Sequence, residues 1–286
     1  MINQQWLVGG RTIDLSQRAL VMGILNVTPD SFSDGGQLAD AETAIARGIA
    51  MVGEGADVLD VGGESTRPGA APVSEADERE RVLPVIEGLR AALGDHVLIS
   101  IDTMKAGVAH AALEAGADIV NDVTALTGDP EMAGVVAKSE CGVVVMHMQG
   151  EPRTMQADPI YEDVVKEVGS YLADRVGSLG SVGIAPERIL IDPGIGFGKT
   201  LEHNLALLRA LPEIATAANR PILLGVSRKA FIGILCHGAP PEDRLWGTVA
   251  LTAHACQEGV AVVRVHDVRE NVEALRMTEA IYSLAE

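Results

Sequence analysis

Residues 188–200 read RILIDPGIGFGKT, a short apolar run that ends at Asp192 and continues into a glycine-rich loop. The closing Gly-Lys-Thr is typical of phosphate-binding P-loops, but that motif requires glycine at position 193, where this chain has Pro193. The dinucleotide motif G-x-G-x-x-G also fails, because Lys199 stands in place of its last glycine. We interpret the stretch as a buried strand that ends in a polar residue.

Seven further runs of this kind occur along the chain, separated by alanine-rich, charged stretches of helical character. Near-continuous apolar strands alternating with helices predict a parallel sheet that is covered on both faces. Eight such units in 286 residues predict an α/β fold, a closed (β/α)8 TIM barrel, with a doubly wound open sheet as the alternative. The eight runs cover residues 21–27, 56–62, 97–102, 118–123, 142–148, 188–194, 221–227 and 261–267.

No linker or change in composition marks a second domain. Residues 1–20 contain the turn Gly9-Gly10 and are predicted to form a short hairpin that closes the bottom of the barrel. The barrel itself is predicted to cover residues 21–286 as a single domain.

Composition excludes several classes of function. The formal net charge of −18 argues against binding to nucleic acid or to an anionic membrane surface, both of which require a basic face. No stretch is apolar enough to span a bilayer, and the first residues do not resemble a secretion signal. The three cysteines form neither a disulfide framework nor a zinc pattern. We therefore predict a cytoplasmic protein.

Polar residues end all eight runs, as in Asn26, Asp60, Asp102, Asn121 and Ser227. In a TIM barrel these ends share one rim, where active sites lie. Capping of the following helices is the alternative, and it applies best to Asp122 and Asp267. Two long loops rich in Gly, Pro and Ser, 28–36 and 62–78, are expected to add anion or metal contacts at this rim.

Eight motifs occur in a characteristic order: MGILNVTPDSFSDGG, DVGGESTRPGA, SIDT, VNDV, MHMQGEP, DPGIGFGKT, GVSRK and RVHDV. Together, from about residue 21 to residue 270, they resemble the dihydropteroate synthases, pterin-binding barrel enzymes of folate biosynthesis. The resemblance implies the condensation of 6-hydroxymethyl-7,8-dihydropterin diphosphate with p-aminobenzoate, with release of diphosphate.

The resemblance also implies roles for particular residues. Asp192 would accept two N–H groups from the pterin edge, Lys229 would donate to the ring, and Arg264 would stack on its face. Asn26 would hold Mg²⁺, and Ser227 with the following helix start would bind the aminobenzoate carboxylate. The other implied pterin contacts are Asp102, Asn121 and Met146; the diphosphate contacts are Thr66, Arg67 and His266; the aminobenzoate ring would meet Phe32, Pro68 and Phe197.

Catalysis would be dissociative, so that diphosphate leaves before the amine adds. Arg67, His266 and Mg²⁺ would stabilise the departing charge, Asp102 the transient cation, and Lys229 would assist at the ring. The glycines of GIGFGK are expected to bring backbone close to the flat ligand. Lys199 and Thr200 are expected to be exposed to solvent. A positive pocket is expected from the cations Arg67, Arg228, Lys229, Arg264 and His266.

Three alternatives remain: a methyltetrahydrofolate–corrinoid methyltransferase, a catalytically silent pterin-binding paralogue, and an unrelated phosphate-binding barrel. STRPGA and SRK favour the synthase over the methyltransferase, and Arg67, Lys229 and Arg264 favour an active enzyme. Inhibition by sulfonamides, which mimic p-aminobenzoate, and a homodimer are further expectations from the resemblance.

Overall fold

The computed structural model describes residues 4–28, 36–65, 71–150 and 154–283. Within them, eight parallel strands form one sheet in the order β8-β7-β6-β5-β4-β3-β10-β9. A parallel bridge between Ile191 and Ile222 joins β8 to the residues just before β9 and closes the circle. The prediction of a TIM barrel is therefore confirmed, and the open-sheet alternative is wrong. The strands are β3 (Leu20–Asn26), β4 (Val58–Gly62), β5 (Leu98–Asp102), β6 (Ile119–Asp122), β7 (Gly142–Met146), β8 (Ile189–Asp192), β9 (Leu223–Gly225) and β10 (Val262–Val265).

Helices connect successive strands and cover the outer face of the barrel. Two helices follow each of β8 and β9. Polar caps begin several of them: Ser74 accepts the backbone N–H of Asp77 at α2, and Asp163 accepts that of Lys166 at α5. The helices are α1 (Gly36–Glu54), α2 (Glu75–Leu93), α3 (Ala106–Glu114), α4 (Met132–Ala137), α5 (Val164–Ser181), α6 (Leu201–Arg209), α7 (Leu211–Ala218), α8 (Ala230–Leu235), α9 (Leu245–Gln257) and α10 (Val268–Ser283).

An antiparallel hairpin of β1 (Gln5–Val8) and β2 (Arg11–Asp14) precedes the barrel, as predicted. Trp6 and Val8 are fully buried against the first interior-facing residues of the barrel strands. The indole N–H of Trp6 donates to the carbonyl of Arg188 at 2.9 Å. The hairpin therefore closes the end of the barrel opposite the carboxyl ends of the strands.

Aliphatic side chains form two packed layers, one inside the barrel and one between the strands and the helices. Among the described helices, none is long and apolar enough to cross a membrane.

Candidate active site

Alternation along each strand decides which side chains reach the barrel interior. In β4, Val58 belongs to the interior cluster, whereas Leu59 and Val61 pack under the helices, so Asp60 and Gly62 also face inward. The buried residues packed around the hairpin, such as Val58, mark the positions that face the barrel interior. Residues two or four positions further along each strand face inward too, and they form the layer nearest the carboxyl ends. That layer consists of Asn26, Gly62, Asp102, Asn121, Met146, Asp192, Gly225 and Arg264.

A charge network joins four of these strands across the barrel mouth. The Arg264 guanidinium donates from Nε to Asp60 Oδ2 at 2.6 Å and from an η nitrogen to Asp102 Oδ2 at 2.7 Å. Asn121 Nδ2 donates to the same oxygen of Asp60 at 3.1 Å, so that its own carbonyl oxygen points away from Asp60. Asp60 Oδ1 is buried and has no hydrogen-bond partner among the described residues. The positive charge of Arg264 is therefore shared between the carboxylates of Asp60 and Asp102.

The electrostatics of Asp102 follow from this crowding. Burial raises the pKa of its carboxyl to about 7; Arg264 opposes the rise, and the neighbouring charge of Asp60 adds to it. Burial alone would lower the pKa of Arg264, but Asp60 and Asp102 raise it well above the ordinary value. Arg264 is thus permanently charged, while Asp102 can change its protonation near neutral pH.

The sequence placed Asp60 among the polar strand ends at the rim, but gave it no role in the site. It contacts Arg264 and Asn121 from the middle of an apolar strand, and its interior position could have been found from its two-residue offset to Val58.

Asp192 lies opposite Arg264, with Gly225 between them. A Cβ added at Gly225 would lie 3.5 Å from Asp192 Oδ2 and 3.9 Å from Arg264 Cδ, so β9 leaves open the space where these side chains converge. Asp192 Oδ1 accepts the backbone N–H of Gly194 at 2.7 Å. Burial raises the pKa of Asp192, and the Lys229 ammonium opposes that rise.

Two of the three glycines after Asp192, Gly194 and Gly198, contact protein backbone; their expected approach to the ligand stays a prediction. Gly194, Gly196 and Gly198 have φ values of +68°, +82° and +61°, in the left-handed region that glycine tolerates best. A Cβ at Gly194 would lie 1.8 Å from the carbonyl oxygen of His147, and one at Gly198 would lie 2.3 Å from that of Gln149. Gly194 and Gly198 let the 193–199 turn pack directly on the chain that leaves β7, whereas Gly196 faces the Lys229 side chain.

Lys199 is buried, and the prediction that it is exposed is wrong. Its side chain runs back under the turn, and the residue is 3 % exposed. Nζ lies 3.0 Å from His147 Nδ1, 3.3 Å from the His147 carbonyl and 3.0 Å from the Phe197 carbonyl. Thr200 is half-buried and caps α6, because its hydroxyl accepts the N–H of His203 at 3.2 Å. It therefore has a structural role.

Lys229 approaches the same turn from the side of the site. Its Nζ donates to the Ile195 carbonyl and lies 4.5 Å from the centroid of the Phe197 ring. Burial lowers the pKa of Lys229 to about 8, opposed by the carboxylate of Asp192. Met146 pairs with Asp192 between β7 and β8, at the barrel mouth. The structure thus brings Asp192, Lys229, Phe197 and Met146 together, as the sequence predicted.

Ser227 and His266 form a second polar pair at the ends of β9 and β10. The Ser227 hydroxyl lies 2.9 Å from His266 Nδ1 and accepts the backbone N–H of His266 at 3.1 Å. Arg228, by contrast, has φ of +59° and binds the Asp267 carboxylate through Nε at 3.0 Å. Arg228 therefore does not supply charge to the pocket, and Asp267 acts through this ion pair.

Asp122 is the polar strand end that serves local structure. Its carboxylate accepts the N–H groups of Thr124 and Leu126, at 2.7 and 3.0 Å. Asp122 therefore stabilises the turn after β6; it does not cap α4, which begins at Met132, so its role is local but differs from helix capping.

Four predicted site residues, Phe32, Thr66, Arg67 and Pro68, lie outside the described residues. The expectation of a positive pocket stays a prediction, because Arg67 is among them and Arg264 is matched by carboxylates. Asn26 Oδ1 and Asp102 Oδ2 would each lie 3.8 Å from a Cβ built on Gly62, so they flank β4 at the rim, and Asp102 Oδ2 also accepts from Arg264. No cluster of three His, Cys, Asp or Glu side chains suited to a metal occurs in the described part of the chain. The available oxygen donors fit an ion that keeps most of its coordination for water and phosphate, as Mg²⁺ does.

Comparisons with known proteins show the family to which the chain is similar. Residues 22–266 match the family described as pterin binding enzyme. The chain is 46% identical over 277 residues to the dihydropteroate synthase of Escherichia coli strain K12, covering 97% of this chain and 96% of that protein. It is 44% identical over 275 residues to the dihydropteroate synthase of Synechocystis, covering 96% and 94%.

Solved structures give the same result. The Yersinia pestis dihydropteroate synthase in a sulfonamide drug complex has a TM-score of 0.90 and 43% identity, with 98% of this chain and 99% of that chain covered. The Xanthomonas albilineans enzyme with 4-aminobenzoic acid has a TM-score of 0.90 and 45% identity, with 98% of each chain covered. The Burkholderia cenocepacia enzyme with 7,8-dihydropteroate has a TM-score of 0.89 and 42% identity, covering 100% and 99%.

Proposed function

Because this chain belongs to the dihydropteroate synthases of the pterin binding enzyme family, we propose that it makes 7,8-dihydropteroate from 6-hydroxymethyl-7,8-dihydropterin diphosphate and p-aminobenzoate. The observation that carries the proposal is the convergence of Asp192 and Arg264 on the space that Gly225 leaves open. That space is lined by a buried acceptor on one side and a fixed guanidinium on the other.

The pterin would bind through this pair. Its 2-amino group and N3–H lie side by side, so a single carboxylate, Asp192, accepts both. Asn121 presents its carbonyl oxygen, and Lys229 donates from the side of the Phe197 ring. Arg264 is held flat by two carboxylates, an orientation that suits stacking on the ring face. A ring that lacks these groups would leave buried polar atoms unpaired and would be rejected.

The reaction breaks the C–O bond between the pterin methylene and the diphosphate, whose oxygen keeps the electron pair. The reduced pterin delocalises the resulting cation, the amine nitrogen of p-aminobenzoate then forms the C–N bond, and the nitrogen releases a proton. Ionised Asp102 would stabilise the cation through its negative charge, and His266 would interact with the leaving diphosphate. Arg67 and Thr66, which follow β4 in sequence, would add contacts to the diphosphate.

Asn26, with Asp102 nearby, would hold a magnesium ion, which when bound would supply positive charge to the diphosphate oxygens. The p-aminobenzoate carboxylate would bind at Ser227 and the start of α8, with its ring near Phe197, Phe32 and Pro68. The choice of p-aminobenzoate as second substrate is supported by the Xanthomonas enzyme, which was solved with 4-aminobenzoic acid. Inhibition by sulfonamides is part of the proposal and is supported by the Yersinia enzyme, which was solved with such a drug.

A homodimer and a cytoplasmic location complete the proposal. The described surface carries large exposed apolar side chains on three late helices, including Ile234 (64%), Trp246 (74%) and Met277 (65%). Such side chains on neighbouring helices suit burial against a second copy.

The test is a coupled assay of purified protein with both substrates, with and without Mg²⁺, in which dihydropteroate and diphosphate are detected by mass spectrometry. Asp192→Asn should abolish product and pterin binding. Asp118→Asn is the control, since Asp118 is a barrel carboxylate that pairs with Arg90 and Arg11 at the opposite end, away from the site. Pterin binding without product would favour the silent paralogue or the methyltransferase, and absence of both would refute the proposal.

A further inference from the structure

Lys199 is a buried lysine that the reaction described above does not use; burial lowers the pKa of its amine to about 7, and the carboxylate of Asp192 opposes that fall. Its ammonium has three hydrogens, and three acceptors surround it: His147 Nδ1, the His147 carbonyl and the Phe197 carbonyl, all within 3.3 Å. The ammonium is therefore saturated by protein atoms. It has no hydrogen left for a substrate, so its role has to be exerted through the groups that it holds.

The state of His147 agrees with this arrangement. The residue is 7 % exposed, its ring meets the edge of Tyr171 at 4.9 Å, and burial lowers its pKa to about 3. A neutral imidazole carries one proton, and the approach of the Lys199 ammonium places that proton on Nε2. Nδ1 is therefore an acceptor for Lys199.

These contacts lead to the substrate side of the turn. Lys199 fixes the Phe197 carbonyl from below, while Lys229 lies over the ring of Phe197 and donates to the carbonyl of Ile195. The backbone N–H of His147 donates to the Asp192 carbonyl at 3.0 Å, so Lys199 also contacts the residue that bonds to the end of β8. The Lys199 ammonium thus links His147, at the end of β7, to the 193–199 turn. The turn also contacts Lys229, and His147 bonds to the backbone of Asp192.

We propose that Lys199 is a positioning residue for pterin binding: it clamps the 193–199 turn to His147 and so fixes Phe197 and Lys229 in the geometry that the ring requires. The inference rests on the proposed function. It assigns no contact between Lys199 and substrate.

Lys199→Met tests the clamp, since it keeps the chain length and removes every donor. Lys199→Met leaves three buried acceptors without a donor, so its melting temperature should fall while the chain stays folded at the assay temperature. The Kd for an unreactive 6-substituted pterin should rise about 10- to 100-fold, because small misplacements of binding groups have effects of this size. Lys199→Gln keeps two donors without the charge and should recover a large part of the affinity.

Arg220→Met is the matched control. Arg220 is also 3 % exposed and donates to backbone carbonyls, those of Ile189 at 3.2 Å and Gln5 at 3.4 Å, but at the opposite end of β8. This variant should change pterin affinity by less than about twofold.

Four outcomes would overturn the inference: a Kd of Lys199→Met within about twofold of the wild type, equal weakening in Arg220→Met, no recovery in Lys199→Gln, or unfolding of both Lys199 variants. Failure of the proposed function is distinguished by the wild type, which would then form no dihydropteroate.

Discussion

Gly194 allows a sharp test of how the turn after β8 packs. Its φ is +68°, and a Cβ added there would lie 1.8 Å from the carbonyl oxygen of His147. That oxygen cannot rotate away, since it belongs to the backbone and also accepts from Lys199. Gly194→Ala therefore has two costs, a left-handed alanine and a collision with fixed backbone.

Gly259 separates these two costs. It has nearly the same φ, +72°, but no atom would lie within 4 Å of an added Cβ. Gly259→Ala should lower the free energy of unfolding by about 1–2 kcal/mol, the cost of the left-handed conformation alone. Gly194→Ala should lower it by that amount plus about 1–3 kcal/mol for forced displacement of packed atoms, giving about 2–5 kcal/mol in total.

Urea denaturation of both variants beside the wild type measures the difference directly. Gly194→Ala should also weaken pterin binding, because displacement of the His147 carbonyl disturbs the contact with Lys199, whereas Gly259→Ala should not. Equal losses of unfolding free energy in the two variants would refute the tight packing of this turn on β7.

Three further perturbations test charge and assembly. The kcat/KM should fall as pH drops below about 7. Burial raises the pKa of Asp102 to about 7, so below that pH its carboxyl is protonated and loses the charge that stabilises the cation. Asp102→Asn should remove this acidic limb from the profile of initial rate against pH. The unfolding free energy should decrease as pH falls from 6.5 toward 3. His147 is protonated over this range in the unfolded chain but not in the folded chain, where burial lowers its pKa to about 3. In urea titrations, the unfolding free energy of His147→Phe should depend less steeply on pH. Trp246→Glu should halve the mass measured by sedimentation, whereas Val182→Glu, at another exposed apolar residue, should not, and a monomeric wild type would contradict the dimer.

The barrel could be predicted because each strand is buried on both faces and so reads as an apolar run, while the polar residue that ends it marks the rim. Asp60 shows that the face of the strand on which a polar residue lies matters as well as its position near the strand end. It stands two residues after Val58, and that spacing puts both inside the barrel. The sequence alone could not show its partner, because Arg264 comes from β10, which is far along the chain and is separated from β4 by β3.

Lys199 could not be predicted, because the acceptors that make its burial possible are brought together only by the fold. A glycine-rich turn before a lysine is typical of a phosphate cradle, in which backbone N–H groups face an anion. Here four consecutive carbonyls accept from side chains, two of them lysines, while the N–H groups of Gly194 and Gly196 donate to Asp192 and Asn204. The carbonyls of residues 195–198 accept, in order, from Lys229, Gln156, Lys199 and Tyr161. The turn that resembles a P-loop has the opposite electrostatic character: it holds cations through its carbonyls and so places Lys229 beside the carboxylate of Asp192.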